Sequence, residues 1–193
     1  MVIVYAIDAE DRLIRFNEAW SDFAHANKGE GALPDAVARQ KLWNFIGDPT
    51  LQELYGRMVA RARGGSPVRF RYRCDAPHER RIFTMEIRGR PEGVVEFIST
   101  LVNVESRSSV NWLDPDVPHD VQLLVTICSW CSRVALPDGR WVEVERAIEE
   151  HAALHGPGIP STTHGICPEC QRQMLDLIRR RHGVSGELNR LPT

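Results

Sequence analysis

The sequence lacks the features that would indicate a membrane or secreted protein. Among its 193 residues, no apolar run approaches the roughly 18 residues that a membrane-spanning helix needs. The N-terminus has neither the basic start nor the small-residue cleavage site of a signal peptide. A formal net charge of -2 also excludes a global field that would attract nucleic acid or an anionic membrane. We therefore expect a cytoplasmic protein that does not associate with membranes.

Cysteine is scarce as well, and its count and spacing argue against a disulfide framework. There are five cysteines, an odd number, and a reducing compartment disfavours structural disulfides. Four of them form two Cys-x-x-Cys units with 35 residues between them. The two-residue gap lets both sulfurs of a turn converge on one ion, and zinc favours tetrahedral sulfur coordination. We predict a structural zinc site whose ligands are Cys128, Cys131, Cys167 and Cys170.

Other roles for these cysteines stay open at this point. A catalytic zinc keeps an open coordination position, which four cysteines would close. Thiolates also bind iron, either as a single ion or in an iron–sulfur cluster. A further alternative is a redox sensor, in which oxidation of the thiolates releases zinc. His164 lies three residues before Cys167. With four cysteines present, we expect it to hydrogen-bond a thiolate or pack in the loop rather than to bind the metal.

The first 105 or so residues alternate between strand-like and helix-like patterns. We predict two strands, three helical segments and three further strands, at about residues 2–7, 12–16, 17–24, 42–46, 51–62, 68–74, 81–88 and 93–104. Asn17 is the predicted cap of the first helix, and Asp48 precedes the longest one. This order predicts an α+β fold in which a five-stranded antiparallel sheet carries helices on one face.

The N-terminal pattern resembles the PAS sensor domain over roughly residues 1–105. The resemblance is carried by the long helix, the closing strands and two local runs, Leu13-Ile14-Arg15-Phe16-Asn17-Glu18-Ala19-Trp20 and Leu42-Trp43-Asn44-Phe45-Ile46. It implies a PAS-like sheet that senses a ligand or binds a protein, often as a homodimer.

The same resemblance implies a small-molecule pocket of unknown ligand. Its candidate lining residues are Trp20, Phe23, Trp43, Phe45, Leu54, Tyr55 and Met58, and the alternative is that these side chains simply fill the core. The long helix contains no histidine for haem, and the Asn-Cys-Arg-Phe-like string of flavin-binding members is absent. We therefore expect neither haem nor flavin. Cys74, the fifth cysteine, is expected to act as a small buried hydrophobe rather than as a redox sensor.

Two groups of arginines need an interpretation. Arg69, Arg71 and Arg73 alternate along one predicted strand, so we expect them on a solvated sheet face; a surface that docks an acidic partner or phosphate is the alternative. The run Arg179-Arg180-Arg181-His182 ends the last predicted helix, where cations complement the helix C-terminus.

The C-terminal part reads as a linker followed by a small module. Residues 106–122 are polar with two prolines and predict a linker, in which Trp112 and Leu113 dock on one of the two domains. Strand-like patterns at 132–135 and 140–144 flank a Pro-Asp-Gly turn. A helix is predicted at 144–154, a loop at 156–161, and a last helix from Pro168 to about residue 181. These elements predict a treble-clef-like or ribbon-like zinc module.

This region is also similar as a whole to a small cysteine-rich module found at the ends of many bacterial signalling proteins. The similarity covers residues 124–174 and is carried by Ile127-Cys128-Ser129-Trp130-Cys131, Trp141-Val142 and Thr163-His164-Gly165-Ile166-Cys167-Pro168-Glu169-Cys170. It implies a bacterial signalling context and no particular reaction.

Together these patterns predict three segments: a PAS-like sensor domain at 1–105, a linker at 106–122 and a four-cysteine zinc module at 123–193. We find no kinase, cyclase, phosphodiesterase or helix-turn-helix segment, so we expect a non-enzymatic regulator whose zinc module docks a partner protein. One alternative is a nucleic-acid-binding transcriptional regulator, which the weakly acidic charge disfavours. The other is a zinc-thiolate redox sensor.

Overall fold

The computed structural model describes residues 1–114, 116–151, 154, 159–179 and 191. They form an α+β fold with a five-stranded and a four-stranded sheet. The helices and strands are β1 (Val2–Ile7), β2 (Leu13–Phe16), α1 (Glu18–Ala26), α2 (Pro34–Val37), α3 (Pro49–Arg63), β3 (Val68–Arg73), β4 (Glu79–Gly89), β5 (Val95–Ser106), β6 (His119–Cys128), β7 (Val134–Ala135), β8 (Trp141–Val142), α4 (Val144–Glu150), β9 (Ile159–Gly165) and α5 (Pro168–Arg179).

The first sheet contains the five strands predicted from the N-terminal pattern, in the order β2-β1-β5-β4-β3. All of its neighbours pair antiparallel, which confirms the predicted antiparallel sheet. Alternation of side chains along a strand places one apolar set on a single face, and α3 packs against that face. We call residues 1–106 the N-terminal unit.

The long helix α3 is positioned by its apolar stripe and by its ends. Its buried residues recur at helical spacing and contact the sheet; they are Leu51, Leu54, Met58, Val59 and Ala62. The Asp48 side chain accepts a hydrogen bond from Leu51 N at 2.8 Å and so caps the helix. A side chain at Gly89 would place Cβ 2.3 Å from the Ala62 carbonyl oxygen, so glycine is required where β4 passes α3.

The second sheet has the order β8-β7-β6-β9. The predicted hairpin is confirmed as β7 paired antiparallel with β8, whereas β6 and β9 run parallel. Trp112 is 5% exposed and packs in the core beneath this sheet with Val125 and Ile127, so its predicted docking is confirmed. The strand β6 begins at His119, inside the segment predicted as a linker. We call residues 111–179 the C-terminal unit.

Two predicted boundaries in the C-terminal unit are wrong. Residues 159–161, predicted as loop from their glycine- and proline-rich surroundings, begin β9, because the parallel partner β6 supplies hydrogen bonds that no local pattern indicates. The helix predicted to reach residue 154 ends at Glu150, since His151 takes an extended conformation. Residues 156–158 of the predicted loop, and residues 180–182 at the predicted end of the last helix, lie outside the described residues.

The described helices are all too short or too polar to cross a membrane.

Candidate metal centre

The parallel pairing of β6 with β9 brings the two Cys-x-x-Cys units together. Cys128 is the last residue of β6 and lies opposite Gly165, the last residue of β9. Since the ends of parallel strands meet at one edge of a sheet, the turn after β6 and the turn after β9 face each other. Ser129 N donates to Gly165 O at 2.9 Å, which joins the two turns directly.

The first turn is a tight loop between β6 and β7. Cys128 N donates to Arg133 O at 2.7 Å, and Ser132 N donates to Cys128 O at 2.9 Å. Ser132 takes a left-handed conformation with φ of 58°, which closes the loop within a few residues. This geometry turns the side chains of Cys128 and Cys131 toward the same point.

The second turn leads into α5. Pro168 is the first residue of this helix, where its missing N–H costs nothing, so the predicted helix start is confirmed. Cys170 lies in the first turn of α5, and its backbone N donates to Cys167 Sγ at 3.4 Å. Cys167 N donates in turn to Cys128 Sγ at 3.4 Å. The backbone N–H groups and the positive end of the helix dipole therefore stabilise negative charge on the sulfurs.

The four sulfurs form a compact buried cluster. All four cysteines are at most 2% exposed, and their Sγ atoms lie within 4.8 Å of one another. Sulfurs about 2.3 Å from a zinc ion define a tetrahedron with edges of about 3.8 Å, which is the distance between Cys131 Sγ and Cys167 Sγ. The donor set fits a tetrahedral metal ion, and because thiolates bind iron as well as zinc, the geometry identifies a metal site without naming the metal.

The charge of the cluster also favours a cation. Hydrogen bonds from the thiols of Cys131, Cys167 and Cys170 lower the pKa of Cys128. The hydrogen bonds that Cys131 and Cys170 make to Cys128 raise the pKa of both of these thiols. Like charges this close cannot all form by themselves, so ionising the whole set requires the positive charge of a bound metal.

Trp130, the residue between the cysteines of the first unit, is inserted into the N-terminal unit. It is 0% exposed and stacks on Tyr55 of α3 with ring centroids 5.5 Å apart. Its ring also lies 6.0 Å from that of Phe70 on β3. The Trp130 carbonyl accepts a hydrogen bond of 2.8 Å from Arg73 N at the end of β3. The metal loop is thus continuous with the core of the first sheet.

A second connection between the units is formed by α5. Met174 on this helix is fully buried in the same core as Trp130. Arg61 on α3 donates from Nη1 to the carbonyls of Leu177 and Ile178, both at 2.8 Å, and so satisfies orphan acceptors at the α5 C-terminus. The helix that carries Cys170 is therefore fixed to the helix layer of the N-terminal unit.

A buried ionic network joins the units beside the metal loop. Arg73 makes an ion pair of 2.5 Å with Asp75 and one of 2.7 Å with Glu143, which precedes α4. Burial lowers the pKa of Arg73, but hydrogen bonds and charge from Asp75 and Glu143 more than offset this and raise it. Arg107 also contacts Asp75, at 3.0 Å. Asp75, with 2% of its side chain exposed, therefore forms ion pairs with two buried arginines at once.

Replacing Asp75 by asparagine should weaken the junction strongly. The change leaves Arg73 and Arg107 without their shared carboxylate, and breaking a buried ion pair on one side costs about 3–5 kcal/mol. The measurement is the free energy of unfolding in urea. Glu53→Gln is the matched control, because Glu53 pairs with Arg57 on the exposed side of α3 and such pairs contribute only about 0.3–0.5 kcal/mol. Equal effects of the two variants would contradict the structural role of the network.

The predicted pocket residues fall into two groups. Leu54 and Met58 are buried in the core, as the alternative interpretation expected. Trp20 donates from Nε1 to Ala32 O at 2.7 Å, Trp43 donates to Asp11 Oδ2 at 2.8 Å, and Phe23 packs edge-on against Phe83. None of these five residues belongs to the described lining of the cleft that Phe45 and Tyr55 line.

Phe45 and Tyr55, by contrast, line a cleft of about 780 Å³ between the two units. The cleft also contains Ser129 of the metal loop and His164 of β9. His164 is exposed and lies outside the cysteine cluster that the described residues form. The structure thus places a cavity beside the metal centre.

The remaining predicted residues are placed as follows. Cys74 follows β3, is half-buried, and lies 3.8 Å from Arg81 Nη2; burial raises the pKa of its thiol, in keeping with a structural role. Arg69 and Arg71 are exposed as predicted. Arg73 is not, because the C-terminal unit covers its end of the strand and buries it to 9% exposure.

Sequence reasoning missed the residues that join the two units. Trp130 was identified only as part of a string of residues, and neither Asp75 nor Glu143 was singled out. The one available signal was a large apolar side chain between two metal ligands, where exposure would be costly. No periodic pattern in the sequence could have indicated which residues Trp130 contacts.

Comparison with protein-family models gives no match for this chain, and comparison with curated proteins gives none either.

Proposed function

We propose that this chain is a non-enzymatic regulatory protein of a bacterial signalling system. Its N-terminal unit is a PAS-like sensor or interaction domain, and its C-terminal unit docks a partner protein. A structural zinc ion fastens the two units together. The observation that carries the proposal is the insertion of Trp130, from the metal loop, between Tyr55 and Phe70 of the N-terminal unit. This contact couples the two units, together with the attachment of α5 to α3 and the Arg73–Glu143 ion pair.

The PAS-like assignment is supported by sequence and by architecture. The N-terminal unit has five antiparallel strands with helices on one face, the arrangement that the resemblance implies, and the two local runs that carry the resemblance lie at β2–α1 and at the turn before α3. Residues 1–105 would be the sensor, and residues 106–122 would connect it to the zinc module.

A structural role for the ion follows from the donor set. Four buried cysteines supply four ligands, so a tetrahedral zinc ion has no position left for a substrate or water. The cysteines that hold it come from two turns of different elements, and fixing them together stabilises the fold. Chemistry at the metal is therefore not part of the proposed function.

Exposed apolar side chains support a docking role. Val121 and Leu124 on β6 are 78% and 60% exposed, and two large apolar side chains exposed on one short strand offer a contact surface for a partner. Val102 and Val104 on β5 are also exposed, and they give the N-terminal unit a surface suited to homodimer formation. We place these contacts in the cytoplasm.

The proposal is tested first by elemental analysis and the absorption spectrum of the purified protein. We expect about one zinc ion per chain, as for a closed four-cysteine site, and no visible absorption band. Iron bands in the visible region, or a metal content that stays below half an equivalent after zinc is supplied, would contradict it.

Two further assays separate the alternatives. Binding to DNA or RNA at low salt, lost in the triple variant Arg179→Ala/Arg180→Ala/Arg181→Ala, would replace the proposal by a nucleic-acid-binding regulator. Release of the metal by mild peroxide would replace it by a redox sensor. We expect no nucleic-acid binding and retention of the metal.

A further inference from the structure

The cleft between the two units has two chemically different walls. The N-terminal unit contributes an apolar wall that includes Leu42, Phe45, Ile46 and Leu51, while the C-terminal unit contributes the polar side chains of Ser129, Thr162, Thr163 and His164. Its volume of about 780 Å³ lies within the range of roughly 300–1,000 Å³ that is typical of small-molecule sites. A molecule that fills it must present an apolar side and a hydrogen-bonding side.

The apolar wall is incompletely covered. Phe45 is 48% exposed, although a phenylalanine side chain gains about 1.5–3 kcal/mol when it is fully buried. Phe45 follows Leu42 in the short helical turn before α3, and Leu42 is buried at 7% exposure. The turn is therefore anchored by Leu42 and leaves the ring of Phe45 at the cleft, where a planar apolar group can cover it.

Two tyrosines supply further polar groups. Tyr5 and Tyr55 line the cleft, and the described residues provide no hydrogen bond to either hydroxyl, in contrast to Tyr72, which pairs with Ser99 at 2.8 Å. Burial raises the pKa of Tyr5 and raises that of Tyr55 to about 12. Both phenols therefore stay neutral and able to donate a hydrogen bond to an acceptor.

The charge of the described cleft lining disfavours an anionic ligand. None of the described residues that line it is arginine or lysine. Among the described lining residues, the one carboxylate is that of Asp48, and it already accepts the hydrogen bond from Leu51 N. An anionic group would lose its hydration without gaining a cationic partner, which is unfavourable.

We propose that this cleft binds an uncharged organic molecule with a planar apolar body, which lies against Phe45 and Leu51, and with a hydrogen-bond acceptor such as a carbonyl, which faces the hydroxyls of Tyr5, Tyr55 and Ser129. Ser129 lies between Cys128 and Trp130, so the ligand contacts the metal loop itself. The inference concerns binding alone and does not depend on the regulatory role proposed above.

The test uses the metal-loaded full chain and two fluorescent dyes that share a naphthalene ring system. Prodan is an uncharged fluorescent ketone, and anilinonaphthalene sulfonate is an anion. We expect one Prodan site per chain with a blue-shifted emission, and roughly tenfold weaker binding of the anion because its sulfonate has no cationic partner in the cleft.

Substitutions then locate the site. A Cβ atom added at Gly47, which lines the cleft, would meet no atom within 4 Å, so the backbone accepts a side chain there. Gly47→Leu should then occupy part of the cleft and weaken Prodan binding at least about tenfold. Gly31→Leu is the matched control, because Gly31 is equally open but is not part of the described cleft lining. Phe45→Ala, at an exposed position, should weaken binding to a similar extent.

The same experiment has outcomes that overturn the inference. The inference is wrong if Prodan shows no saturable binding or if the two dyes bind with equal affinity. It is also wrong if Gly47→Leu, Gly31→Leu and the wild type bind Prodan with equal affinity. Metal content and thermal unfolding, measured on each variant, show whether it is folded; if Gly47→Leu does not fold, the comparison of Phe45→Ala with the wild type decides. A failure of Prodan binding with an intact metal site would leave the proposed regulatory role unaffected.

Discussion

Replacing Cys170 by serine is expected to abolish stoichiometric metal binding and to lower the melting temperature by about 10–20 °C. Structural zinc contributes roughly 10–16 kcal/mol in small zinc domains, and a loss of about 5 kcal/mol produces such a shift in a chain of this size. Cys170 is fully buried in the first turn of α5, so its loss affects both the metal and the packing of that helix on α3. Elemental analysis and calorimetry measure the two effects.

Cys74→Ser is the matched control for this variant. Cys74 is half-buried and lies outside the four-cysteine cluster, and the substitution makes the same chemical change. It should leave the metal content unchanged and alter the free energy of unfolding by no more than about 1 kcal/mol. The interpretation of the cluster would be wrong if Cys170→Ser retained the metal, or if both cysteine variants lost it.

Replacing Trp130 by alanine is expected to cost about 3–5 kcal/mol of stability, the range observed when large aromatic side chains are removed from a core. The side chain is fully buried and contacts Tyr55 and Phe70. All four cysteines remain, so the metal content should stay near that of the wild type. Loss of stability without loss of metal would show that the indole joins the two units and does not merely support the site.

Trp130→Phe provides the graded comparison. It keeps an aromatic ring against Tyr55, and it removes the indole N–H, which has no hydrogen-bond partner among the described residues. The expected cost is therefore only about 1–2 kcal/mol, less than for alanine. An alanine variant that loses less than about 1 kcal/mol would contradict a core position for this residue.

Local patterns in the sequence were sufficient for most of the N-terminal unit. The stripe of Leu51, Leu54 and Met58 predicted the buried face of α3 because helical spacing alone places these residues together. The cysteine cluster could be predicted as well, since two turns with the same spacing leave few other ways to use four thiols. Asn17 caps α1 as predicted, its side chain accepting from Trp20 N at 3.2 Å.

The junction between the units could not be predicted from such patterns. Strand β9 depends on parallel pairing with β6, which lies far away in sequence and leaves no alternation to detect. Arg73 alternates with Arg69 and Arg71 and so was expected on a solvated face, but Glu143 of the C-terminal unit covers it. Both errors arise from contacts between residues that are distant in sequence. Strand β9 pairs with β6 within the C-terminal unit, whereas Arg73 is covered because the C-terminal unit packs on the N-terminal unit.

The central claim is that the metal site fastens the two units together through Trp130, and hydrogen exchange with and without the bound metal tests it most directly. On removal of the metal by a chelator, we predict faster exchange in β6 and β9 and also in α3 and β3, which contact Trp130, while β2 and α1 keep their protection. Faster exchange confined to the C-terminal unit, with α3 and β3 unchanged, would contradict the claim.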